Sequence, residues 1–81
     1  MKHTYKTQGT CSTHIEIEVE GDVLKEISFW GGCNGNLQGI SRLVTGMPVP
    51  EVIKKLEGVR CGSRSTSCPD QLCHALHEMG F

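Results

Sequence analysis

From Thr13 to Glu20 apolar and polar residues alternate: Ile15, Ile17 and Val19 face one way, His14, Glu16, Glu18 and Glu20 the other. A period of two with β-branched residues on one side predicts a half-buried strand. Gly21-Asp22 supplies a turn, and Val23 to Trp30 continues as a second strand with Ile27 and Phe29 on its core face, which makes a hairpin. An earlier strand around His3 to Gln8 would pair at the edge.

After Trp30 the period changes. The stretch Gly31-Gly32-Cys33-Asn34-Gly35-Asn36 is too rich in glycine to be regular, and Leu37, Ile40, Leu43 and Val44 then follow helical spacing. Asn36 or Asn34 would serve as the N-cap. Gly46-Met47-Pro48 ends this helix. Pro50 suits a first helical turn, and Val52, Ile53 and Leu56 mark a second short helix closed by Gly58. Val59 to Ser67 reads as a loop. Pro69 and Asp70 then open a last helix with an apolar stripe of Leu72, Cys73, Leu76 and Met79, stopped at Gly80. Strands followed by helices predict an α+β fold: an N-terminal antiparallel hairpin or three-stranded sheet, with two to three short helices packed on one face. Residues 1–81 read as one domain.

Length sharpens this picture. At 81 residues the chain hides only roughly 60% of its unfolded surface, so its core is thin and a staple of disulfides, metal or partner subunit is expected. The formal charge is −1 and the pI about 6.4, with positive residues scattered. That excludes the basic footprint of a nucleic-acid binder, and Tyr5, Phe29, Trp30 and Phe81 are too few for a base-stacking platform. No apolar run approaches the roughly 20 residues of a membrane span, so no membrane partner is expected. Met1 to Thr10 is polar and lacks the apolar region of a signal peptide, so the expected location is the cytoplasm.

Five cysteines in a reducing compartment point to metal ligation or thiol chemistry before a disulfide scaffold, with buried inert thiols as the plain alternative. Cys11 precedes the first strand of the hairpin, Cys33 lies in the glycine loop, Cys61 in the loop after the second helix, and Cys68 at the entry to the last helix. Loops aimed by a rigid scaffold are where function tends to sit. Cys33 and Cys68 stand at or just before helix N-termini, whose dipole favours a thiolate, and Arg60 and Arg64 flank Cys61. Paired C-x2-C turns of zinc knuckles are missing, so a four-thiolate site would be assembled from distant segments. Cys73 shares the apolar stripe and reads as a small core residue. His14 reads as solvent-facing, and His74 and His77, three apart near a helix C-terminus, are favourable there without a metal. Gly31, Gly32, Gly35 and Asn36 form a candidate anion loop opening a helix, although the Lys-Ser/Thr of a P-loop is missing.

Thr66-Ser67-Cys68-Pro69-Asp70 spells TSCPD. With Gly32-Cys33-Asn34-Gly35-Asn36-Leu37, Cys61-Gly62 and Thr10-Cys11-Ser12, it makes the whole chain resemble the small stand-alone TSCPD-domain proteins. The resemblance implies a four-cysteine pattern that falls on Cys11, Cys33, Cys61 and Cys68 and leaves out Cys73. Similar segments occur in some ribonucleotide reductases, so it also implies an accessory role in deoxynucleotide synthesis, with a reductase or another protein as partner. The chain is too short to be such a reductase itself. Phe29-Trp30-Gly31-Gly32-Cys33 between strand and helix is also similar to iron–sulfur scaffold proteins, which keeps an iron–sulfur cluster beside zinc as the expected cofactor. Three readings follow: a module holding one metal through the four cysteines, a thiol–disulfide relay using Cys61 and Cys68, and a metal-free interaction domain, as monomer or homodimer.

Overall fold

The computed structural model describes residues 2–10, 12–31, 34–60, 62–63 and 65–81. Three strands come first: β1 (Lys2–Lys6), β2 (Ser12–Glu20) and β3 (Val23–Gly31); three helices follow, α1 (Asn34–Val44), α2 (Val49–Leu56) and α3 (Cys68–Glu78). The sheet is antiparallel in the order β1-β2-β3. This is the expected α+β arrangement. The edge strand begins one residue earlier than the sequence suggested and ends at Lys6 rather than Gln8.

The alternation of β2 places Ile15, Ile17 and Val19 inside and leaves Glu16 and Glu20 exposed. Gly21, at φ +63°, lets the hairpin turn where a side chain would strain. Two irregularities then shift the inward set. Glu18 pairs with Glu26 and Val19 with Leu24, so Lys25 is an extra residue in β3. That bulge turns both Leu24 and Ile27, three positions apart, into the core. At the other end Ser12 pairs with Gly31 and His14 with Trp30, which makes Thr13 the extra residue of β2. The Thr13 hydroxyl donates to the Trp30 carbonyl at 3.1 Å, and Ser12 is thereby turned inward and buried.

The helices close one face of the sheet. Val44, Val49, Val52, Leu72, Ala75 and Leu76 meet the inward residues of β2 and β3 in a single cluster. Each fully buried aliphatic side chain is worth roughly 1.5–3 kcal/mol relative to exposure. α1 starts at Asn34, so Asn34 and Asn36 both lie inside the helix and neither is its cap. Leu43 is also corrected: it falls off the buried stripe and is 76% exposed. The α1–α2 connection is stitched to the start of β3, because Leu24 N–H donates to the Met47 carbonyl at 2.9 Å and Gly46 N–H to the Leu24 carbonyl at 2.7 Å. α2 carries Pro50 and Glu51 in its first turn and Lys54 and Lys55 in its last, matching the helix dipole. None of the helices among the described residues is long and apolar enough to cross a membrane.

Candidate cysteine site

The entry to α3 is held by the residues around Cys68. Ser67 is the N-cap, and its hydroxyl accepts from Asp70 N–H at 3.1 Å while donating to the Val59 carbonyl at 2.6 Å. The third residue of the helix closes no reciprocal bond onto the cap. Instead the Asp70 side chain, 9% exposed, reaches outward to three groups. It accepts from Gly58 N–H at 2.8 Å and from the Thr66 hydroxyl, and its Oδ2 lies 3.2 Å from His74 Nε2. Burial alone would push this carboxyl up; the Thr66, Gly58 and His74 contacts outweigh it and hold the group below its ordinary value. Gln71 extends the lattice, donating to the Thr66 hydroxyl and accepting from Gln8 N–H, both at 3.0 Å. Both ends of the loop between α2 and α3 are therefore tied to the first turn of α3.

Inside this frame the Cys68 thiol is buried, and its Sγ lies 3.0 Å from Ser12 Oγ. Ser12 is gripped in turn by two threonines. The Thr7 hydroxyl donates to the Ser12 carbonyl, and Thr10 Oγ1 lies 3.1 Å from Ser12 Oγ. The register adds a third strand of chain, since Ser12 is the partner of Gly31 at the end of β3. Ser12 is thus the point where the chain just after Cys11, the end of β3 and the start of α3 meet. The bulge at Thr13 is what aims it there.

A family model described as TSCPD domain matches residues 2–80. The chain belongs to the TSCPD domain family. No curated protein and no solved structure matches it. The five residues that give the TSCPD domain its name have separable physical roles in this chain. Thr66 and Asp70 lock the preceding loop to the helix, Ser67 caps it, Pro69 fits its first turn, and the Cys68 thiol is buried against Ser12.

Of the expected ligands, Cys68 is placed by the structure, whereas Cys11, Cys33 and Cys61 lie outside the described residues, as does Gly32. Gly31 closes β3 at φ +81°, and Gly35 and Asn36 occupy the first turn of α1. Among the described residues no three His, Cys, Asp or Glu side chains are grouped to hold a metal. The histidines have other contacts: His3 lies 3.3 Å from Glu78, His77 Nδ1 lies 2.8 Å from the Phe81 carbonyl, and His14 stacks on Trp30 with centroids 5.6 Å apart. His14 is half-buried by that stack rather than fully solvent-facing. Cys73 is a core thiol; burial first, then the nearby charges of Glu57 and Asp70, push its pKa up to about 12. Sequence reasoning missed Ser12, Thr7, Thr10 and Gln71. For Ser12 and Gln71 no local pattern could have signalled the role, because their contacts join segments far apart in the chain.

Proposed function

We propose that this TSCPD domain is a small cysteine-site module in which Cys11, Cys33, Cys61 and Cys68 hold one metal, zinc before an iron–sulfur cluster. The observation that carries the reading is the convergence at Ser12. Cys11 precedes Ser12 in the chain, Cys33 follows its register partner Gly31 by two residues, and Cys68 Sγ touches its hydroxyl. Cys61 follows Val59 by two residues, and Val59 is bound to the cap of α3. Two residues of chain reach at most about 7 Å, so chain length permits the thiols of Cys11, Cys33 and Cys61 to approach the entry of α3 where Cys68 sits. A hydroxyl beside a ligating thiolate is also the kind of outer partner that fixes a metal ligand in place.

Zinc is preferred because a closed four-thiolate set suits a structural zinc ion. A metal here would join four loops that the thin core alone holds weakly, so metal binding and folding should be coupled. An accessory role in deoxynucleotide synthesis, with a reductase as partner, rests on the family resemblance alone.

The test is metal content and the visible spectrum of protein purified without oxygen and without a metal-binding tag. One zinc per chain in a colourless solution, or iron with sulfide in a brown one, is the expected result. No metal and five freely titratable thiols under native conditions would overturn the reading and leave a thiol relay or a plain interaction domain.

A further inference from the structure

The two edges of the sheet are not equivalent. β1 is only five residues long and carries Lys2 and Lys6, and Glu78 of α3 reaches across to His3. Short length, lysines and a covering helix are the usual protections of an edge. β3 is nine residues long, and only its start is covered, by the α1–α2 connection bound to Leu24. Beyond Lys25 and Glu26, the two charged residues of this strand, come Ile27, Ser28, Phe29, Trp30 and Gly31, with no charge and no proline. Among the described residues no strand pairs with their outer side.

This free edge is not a flat border. Together with Leu37, Gln38, Ser41 and Arg42 of α1 it walls a cleft of about 560 Å³. An apolar cavity of roughly 150 Å³ accepts a benzene ring, so the cleft has room for several side chains. Trp30 stands half-exposed beside it, fixed by its stack on His14. Arg42 is the charged residue of the lining, and its guanidinium meets no carboxylate among the described residues.

We infer that the free edge of β3 and the adjoining face of α1 bind an extended peptide segment of another protein, apolar at alternate positions and bearing a carboxylate that pairs with Arg42. Such a segment would add a strand to the sheet through main-chain hydrogen bonds. Its alternate side chains would enter the cleft against Leu37 and Phe29, and the others would flank Trp30. A second copy of this chain fits less well. A two-fold joint between β3 edges would bring both Arg42 side chains beneath it, and α1 contains no Asp or Glu to neutralise them. The inference stands on the sheet edge and does not depend on the cysteine site.

The test is to pan a random heptapeptide library on the full chain under reducing conditions, then titrate a selected peptide into 15N-labelled protein. The expected peptides alternate β-branched or aromatic residues and carry an acid, and they shift the amides of Ile27 to Gly31. Methylating alternate peptide nitrogens abolishes binding, while Arg42→Gln weakens it about three- to fivefold. No enrichment, shifts confined to other surfaces, or undiminished binding of the methylated peptide would each overturn the inference. So would concentration-dependent shifts of the same amides without peptide, which would assign the edge to a second copy.

Discussion

Asp70 offers the sharpest test of the frame around Cys68. Replacing it by alanine leaves the Gly58 N–H and the Thr66 hydroxyl without their acceptor and frees His74. Hydrogen bonds to a charged group are worth about 1.5–3 kcal/mol each. Gly58 and His74 are exposed and Thr66 half-buried, so water replaces part of what is lost. A net destabilisation of about 2–3 kcal/mol is expected from the remainder. In a domain of this size that lowers the melting temperature by roughly 10–20 °C. Asp70→Asn keeps one oxygen acceptor and should lose about half as much. Urea unfolding followed by far-UV circular dichroism at pH 7, with reductant present, gives the comparison. The pH dependence supplies a second check. The folded carboxyl lies below its ordinary value of 3.8, so its stabilisation is complete above that pH and fades as pH falls through the lower folded value. The gap between parent and Asp70→Asn should therefore be present at pH 5 to 7 and shrink under stronger acid. An Asp70→Ala protein within about 0.5 kcal/mol of the parent, the scale of an ordinary surface change, would refute the assignment of Asp70 as the tie between loop and helix.

Three further outcomes are expected. Cys73 should resist maleimide in native protein at pH 8 and react once urea is added, as read by mass spectrometry of peptides; labelling at the rate of an exposed thiol would contradict its burial. Its thiol keeps its proton to about pH 12 when folded but ionises near 9 when unfolded, so it should cost stability as pH rises above 9. Ser12→Ala removes the hydroxyl beside Cys68 and should weaken metal affinity about tenfold or more in a chelator competition, with unchanged affinity speaking against Ser12 as an outer partner of the site.

The hairpin was legible because Ile15, Ile17 and Val19 alternate with acids, and α2 and α3 because their proline starts and glycine stops are local signals. The bulges were not, since nothing in the composition of β2 or β3 marks Thr13 or Lys25 as the extra residue. Register is a property of two strands together. For the same reason the motif Thr10-Cys11-Ser12 gave no sign that Ser12 meets Cys68, although the bulge beside it is what turns it there. Asp70 was legible as a favourable charge at a helix start, but its bonds to Gly58 and Thr66 depend on where the preceding loop packs. The alternation in β3 also could not tell that its far half would remain an open edge.

X-ray absorption at the metal edge of protein purified without oxygen tests the central claim most directly, because it counts sulfur ligands. Four sulfurs at about 2.3 Å around zinc, falling to three with loss of affinity in Cys68→Ser, are the predicted result. A shell of nitrogen or oxygen donors, or a spectrum indifferent to Cys68→Ser, would contradict it.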